Sequence, residues 1–204
     1  MILFFDTETT GLIPGRIIQL SYIMADENGT RAKNFFFAVE YIDPEAAKVN
    51  GFTVEKLAEL SGGKTFSCDI DEIYDDFAAA DLIVAHNSQF DIKFLIAEFS
   101  YQDRRFRYKE DFDTMKYFTP VLKLERESHR GYKYPKLSEL CEFFDIYPYD
   151  VSRKSAEFFG DASVLAHDAR YDTCALYLCF IEGCKKFENL SETASKYLQK
   201  TEDV

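Results

Sequence analysis

The hydrophobic pattern changes period along the chain. It opens with ILFFDTET, four apolar residues that run out into polar ones before Gly11 and Pro14. That predicts a buried strand with a polar end. RIIQLSYIMA predicts a second strand and RAKNFFFAVE a third. Between them lies ENGT, with Asn28-Gly29 expected to supply the positive φ angles of a tight hairpin. The chain therefore begins as a three-stranded meander. After Pro44 the spacing becomes helical. PEAAKVNGFTVEKLAEL predicts two short helices broken at Gly51, the second capped by Thr53. Asp69 or Asp71 is the expected cap of IDEIYDDFAAA. DLIVAH predicts a short buried strand. Asn87 or Ser88 then caps a helix reaching about Tyr101, with Phe90, Phe94, Leu95 and Phe99 on one side. DFDTM predicts a brief strand leading into a helix through about Leu124. KLERESHRGYKYPK predicts a loop and PKLSELCEFFDI a short amphipathic helix. The longest helical pattern is SVLAHDARYDTCALYLCFIEGCKKF, with Asp168 as its N-cap. Residues 188–204 predict a polar terminal helix and a frayed end. There is no internal repeat or low-complexity segment.

At 204 residues the chain suits one α/β domain with a short tail. The net charge of −12 disfavours broad non-specific duplex binding, which needs Lys and Arg to neutralise phosphates. An enzyme gripping a few terminal nucleotides through divalent metals needs little basic surface, so nucleic-acid chemistry stays open. The charge is uneven: residues 101–136 hold ten Lys/Arg against six Asp/Glu. Cys68, Cys141, Cys174, Cys179 and Cys184 form no CxxC pair and no Cys/His cluster. They predict free thiols in a reducing compartment, and Cys174, Cys179 and Cys184, scattered round one helix, read as small buried or half-buried residues without chemistry. ILFF before Asp6 is too short for a signal segment, and no run approaches eighteen apolar residues. The expected location is cytoplasmic, with no membrane partner.

The carboxylates are placed unevenly too. Asp6 and Glu8 point the same way at the end of a buried strand, because strand side chains alternate faces. Crowded acids repel unless a cation joins them or one is protonated. Asp91 falls in the first turn of a helix, where it also complements the helix dipole by about 0.3–1 kcal/mol. Asp168 and Asp172 are four residues apart near another helix start, and so share a face. Four hard oxygen donors on Asp6, Glu8, Asp91 and Asp172 suit two Mg²⁺ or Mn²⁺ ions better than zinc. Such a pair suits phosphodiester hydrolysis. A histidine, with an ordinary pKa of about 6.5, can take the proton of the attacking water. Two histidines lie five residues before an acid, His86 before Asp91 and His167 before Asp172. At most one is expected to be the base.

FDTETTG at 5–11, VAHNSQFDIKFL at 84–95 and AHDARYD at 166–172 resemble, in order, the three motifs of the DEDDh 3′→5′ exonucleases. That family includes the proofreading epsilon subunit of bacterial DNA polymerase III and ribonuclease T. VNGFTVEKLAE at 49–59 resembles the family's H-G-I-T segment, with Asn50 where histidine is common. The resemblance implies a ribonuclease H-like fold, a central mixed five-stranded sheet flanked by helices. It implies an exonuclease domain over residues 1–187 and a C-terminal helical tail over 188–204. It makes Asp6, Glu8, Asp91 and Asp172 the metal-binding acids and His167 the general base, and leaves His86 to loop and cap hydrogen bonding. Asp168 directly follows His167; capping is the plainest account, with a charge bias on His167 or a surrogate ligand as alternatives. Thr9, Thr10, Gly11 and Leu12, with Gln89, are the implied contacts to a single-stranded 3′ end; the basic, tyrosine-bearing loop RESHRGYKYPK also suits nucleic acid. The implied activity is release of nucleoside 5′-monophosphates from single-stranded or frayed DNA in proofreading or repair, with any DNA polymerase a separate chain. An RNA 3′→5′ exonuclease of the ribonuclease T or oligoribonuclease type is the alternative, since the catalytic residues are the same. An inactive binding or scaffold subunit is the remote one.

Overall fold

In the computed structural model, which describes residues 1–126 and 131–198, helices flank one five-stranded sheet. The strands are β1 (Ile2–Thr9), β2 (Ile17–Asp26), β3 (Gly29–Phe36), β4 (Leu82–Ala85) and β5 (Asp111–Asp113). Their order is β3-β2-β1-β4-β5. The meander β1–β2–β3 is antiparallel, and β4 and β5 add in parallel beside β1. In the β2–β3 turn Gly29 takes a positive φ (127°) and Asn28 does not; the Asn28 N–H instead donates to Asp26 Oδ1. The predicted pair of positive φ angles is thus reduced to one.

The nine helices of the described residues are α1 (Pro44–Asn50), α2 (Val54–Ser61), α3 (Phe66–Ala79), α4 (Ser88–Ser100), α5 (Thr114–Leu122), α6 (Leu137–Phe143), α7 (Pro148–Phe159), α8 (Ala169–Lys186) and α9 (Glu188–Leu198). Helix α3 begins at Phe66, a turn before the expected aspartate caps, because Phe66 is buried and Thr65 is already extended. The hydrophobic pattern predicts no element over residues 148–159, where α7 lies. That helix buries only Val151 and Ser155, so its apolar stripe is thin; its signals are Pro148 at the first position and a φ of 72° at Gly160 after the end.

Period-2 alternation along β1 divides the core. Leu3 and Phe5 face a cluster built with Phe77 of α3 and Phe94 and Phe99 of α4. Ile2 and Phe4 face the opposite layer, with Leu176 and Phe180 of α8 and Leu190 of α9. Helix α9 doubles back on α8 at Gly183. A Cβ there would lie 2.7 Å from Leu190 Cδ2 and 3.1 Å from Phe118 Cζ, so any larger residue would have to push these side chains aside. No helix of the described residues is long and apolar enough to cross a membrane.

Candidate active site

The alternation that buries Ile2 and Phe4 carries Asp6 and Glu8 to the same face, toward α8. Their register partners on β2 are Ser21 and Gln19, and the pairing slips between Glu8 and Thr9, ending the regular strand there. Parallel β4 ends beside β1 and its chain turns at once into α4. The carboxyl ends of parallel strands and the first turns of helices therefore meet at one edge of the sheet, the place where open α/β sheets bind ligands.

Asp91 enters from α4. It is buried, and its Oδ1 accepts from both the backbone N–H (3.1 Å) and the hydroxyl (2.6 Å) of Thr7. The middle residue of Asp6-Thr7-Glu8 thus points to the α4 side and fixes Asp91, while its neighbours point to the α8 side. Asn87 starts α4 with a φ of 77° and makes no side-chain cap; the Ser88 hydroxyl donates to Asp111 instead. The backbone turn, rather than a capping side chain, aims the helix.

Asp172 enters from the first turn of α8. Its Oδ2 accepts the backbone N–H of His167 at 2.9 Å. His167 is exposed and holds a φ of 67°, a region non-glycine residues adopt at a cost of order 1–3 kcal/mol. That turn folds the ring back to the acids: ligand atoms of Glu8, His167 and Asp172 all lie within 4.8 Å of one another.

Among the described residues no lysine or arginine forms an ion pair with Asp6, Glu8, Asp91 or Asp172. Burial and mutual repulsion therefore meet no opposing ion pair, only hydrogen bonds. Burial first, then the charges of Asp91, Asp172 and Glu8, pushes the Asp6 carboxyl well above its ordinary value. Burial pushes Glu8 to about 9, reinforced by Asp172 and Asp91 and opposed by the neighbouring Asn50 amide. Asp91 and Asp172 rise for the same leading cause, each to about 7, held down by Thr7 and by the His167 N–H respectively. An all-oxygen cluster that disfavours its own charge fits divalent cations of the hard class.

A cleft of about 730 Å³ opens beside Glu8, lined by Thr9, Thr10, Gly11, Leu12, Asn50 and Phe90 among others. Thr9 and Thr10 spend their hydroxyls on the loop itself, on Gly11 O and the Arg16 N–H. Leu12 stands 81% exposed at the rim, its carbonyl held by Lys93. Asn50 sits at the floor, bonding Thr9 O and the Phe52 N–H. Gln89 is exposed on α4 and is not among the lining residues.

His86 is elsewhere engaged. Its Nε2 donates to Pro135 O (2.9 Å), Nδ1 lies 3.0 Å from the Thr114 hydroxyl, and burial lowers its pKa. Asp168 caps α8 through the Arg170 N–H and pairs with the Arg170 guanidinium. Within RESHRGYKYPK, residues 127–130 lie outside the described residues, His129 among them.

Two site-supporting residues escape the sequence reading. Gln19, fully buried on β2, donates to Asp168 Oδ1 and Asn34 Oδ1 and accepts from the Ala169 N–H. It stands opposite Glu8 and locks the start of α8, on the C-terminal side of His167. A long amide side chain inside the apolar run RIIQLSYIMA was the available signal. Asp113 accepts the Asn87 N–H, holding the turn into α4; its Oδ2 has no hydrogen-bond partner and faces Lys116 Nζ at 3.4 Å.

The family model for exonuclease (ribonuclease T) matches residues 3–180. The chain belongs to the exonuclease family. Its relatives include DNA polymerase III subunit epsilon of Treponema pallidum, 36% identical over 100 residues, covering 47% of this chain and 45% of that one. The epsilon subunit of Rickettsia prowazekii is 32% identical over 154 residues, covering 71% of this chain and 62% of that one. This exonuclease-family chain thus spans about half to three-fifths of the length of these relatives. Escherichia coli exonuclease I in complex with a dT13 oligonucleotide superposes with a TM-score of 0.73 at 18% identity, covering 94% of this chain and 42% of that one. The fold is ribonuclease H-like, as the motifs imply.

Proposed function

We propose that this exonuclease-family chain is a metal-dependent 3′→5′ exonuclease acting on single-stranded or frayed DNA ends and releasing nucleoside 5′-monophosphates. The observation that carries the reading is the convergence of four carboxylates from β1, α4 and α8, with no protein cation paired to them among the described residues and His167 folded back onto two of them. Asp6, Glu8, Asp91 and Asp172 would hold two ions of the Mg²⁺ or Mn²⁺ class, which supply activation of water and neutralise charge at the leaving oxygen. His167, exposed at the cluster's edge, accepts the proton of the attacking water and passes it to solvent. Thr7 holds the Asp91 carboxylate in place as charge develops. The cleft beside Glu8 receives the terminal nucleoside, with Thr9 and Thr10 shaping the backbone, Gly11 giving room and Leu12 supplying an apolar edge. Gln89, exposed on α4 and outside the cleft lining, would meet substrate only beyond the terminal nucleoside. The exonuclease unit is residues 1–187, with the segment from 188 packed on it through α9.

The names of the relatives favour a proofreading or repair setting, with polymerase activity on a separate chain. Single-stranded DNA and RNA of the same sequence, incubated with Mg²⁺, Mn²⁺ or chelator, test the reading. The expected result is metal-dependent release of 5′-mononucleotides, faster from DNA, and none by Asp6→Ala. Faster digestion of RNA would transfer the assignment to RNA processing. Inertness toward both polymers in either metal would contradict it.

A further inference from the structure

Helices α6 and α8 bring two sulfurs together outside the carboxylate cluster. Cys141 Sγ and Cys179 Sγ are 3.6 Å apart. Among the described residues no other two cysteine sulfurs come within hydrogen-bonding distance. The partners differ in access. Cys179 is fully buried, whereas Cys141 is half-buried and lines a cleft of about 610 Å³ bounded by α6, α7 and α8. A small oxidant can reach the first sulfur and not the second. The thiol–thiol hydrogen bond lowers Cys141 below its ordinary value and helps raise Cys179, so thiolate character falls on the accessible sulfur. A disulfide needs about 2.05 Å between sulfurs. Closing the gap takes a shift of roughly 1.5 Å, within the reach of side-chain rotation and a small tilt of the seven-residue α6.

We propose that Cys141 and Cys179 form a thiol–disulfide modification site, oxidised by a hydroperoxide through attack at Cys141. The Cys141 thiolate takes one oxygen from hydrogen peroxide, becoming sulfenic acid, and the other oxygen leaves as water once protonated. The Cys179 sulfur attacks the Cys141 sulfur, and the hydroxyl departs as a second water. Each cysteine sulfur gives one electron and the peroxide takes two. The consequence reaches the candidate site through geometry. Cys179 is seven residues after Asp172 on α8, two turns along nearly the same face. Asp172 and Cys141 line the same cleft. The new bond joins its α6 wall to the helix that presents Asp172, and closes a loop containing α7 and the strained turn at His167.

The full chain, reduced and then treated with a modest excess of hydrogen peroxide under native conditions, is digested with thiols blocked and mapped by mass spectrometry. The expected product is an intramolecular Cys141–Cys179 linked peptide, a mass loss of about 2 Da per chain, and full reversal by dithiothreitol. Cys141→Ser and Cys179→Ala each remove the link. Since Cys179 is buried, the unsubstituted protein's peptide map decides the matter should that variant fold poorly. Oxidation of Cys141 to sulfinic acid with Cys179 still reduced would overturn the proposal, as would a link through Cys68, Cys174 or Cys184, or persistence of the 2 Da loss (about two hydrogens) in Cys141→Ser.

Discussion

His167 and His86 share a spacing to an acid but not an environment. His167 is exposed, bent into a positive φ, and reaches the carboxylates; the half-buried His86 ring is committed to Pro135 and lies beside Thr114. His167→Ala should lower turnover roughly 10²–10⁴-fold, the usual contribution of a general base, while Mg²⁺ binding measured by calorimetry changes little. His86→Ala should retain most turnover and lose thermal stability instead. Equal, complete loss of turnover at both positions would refute this division. The distinction was legible only through resemblance: spacing alone treats both pairs alike. Thr7 shows the same boundary. Alternation predicts that it faces away from Asp6 and Glu8, but nothing local says that its hydroxyl meets Asp91, 84 residues on.

At the scale of elements, the start of α8 is the critical joint. Asp168 caps it as the sequence implies, yet what seats the cap is Gln19, across the sheet. Strand register is local enough to read from pattern, so the meander and most helices were foreseen. A bond between residues 149 apart is set by tertiary packing and leaves only a misplaced polar residue as its trace. Helix α7 differs: Val151, Ser155, Phe158 and Phe159 recur at helical spacing, but most of the segment is polar and only two side chains are fully buried, so its apolar signal is weak. Gln19→Ala removes three hydrogen bonds, one buried and two part-buried, and should loosen the His167 turn. The expected signature is a fall in kcat of roughly 10–100-fold, as small misplacements produce, with KM nearly constant. An unchanged kcat alongside a lower melting temperature would reduce Gln19 to a structural role.

At the scale of the molecule, the acidity of the chain is concentrated in meaning as well as number. Part of the basic window of residues 101–136 is neutralised at separate places: Arg104 pairs with Asp71, Lys109 with Asp81 just before β4, Lys116 with Asp113 and Lys133 with Glu139. Among the described residues the carboxylate cluster has no such partners. Its acids have folded pKa values above the ordinary unfolded range of about 4, so the folded state holds more protons there and stability falls as pH rises. For metal-free protein, that decline runs from about pH 4 toward the value of about 9 at Glu8. Added Mg²⁺ should reverse it. Asp6→Asn should melt higher than the parent in chelator at pH 8 or so, by a few degrees at about 2–4 °C per kcal/mol, and respond less to Mg²⁺. A parent protein whose melting point stays flat with pH and ignores Mg²⁺ would count against a cation-seeking cluster.

Polarity of attack tests the central claim most directly. Single-stranded DNA labelled at its 5′ end is incubated with the protein and Mg²⁺, and products are resolved over time. A 3′→5′ exonuclease gives a ladder shortening one nucleotide at a time, with the label retained on the longer fragments, and Asp172→Asn leaves the strand intact. Immediate release of labelled mononucleotide, internal cuts without a ladder, or undiminished digestion by Asp172→Asn would contradict the account.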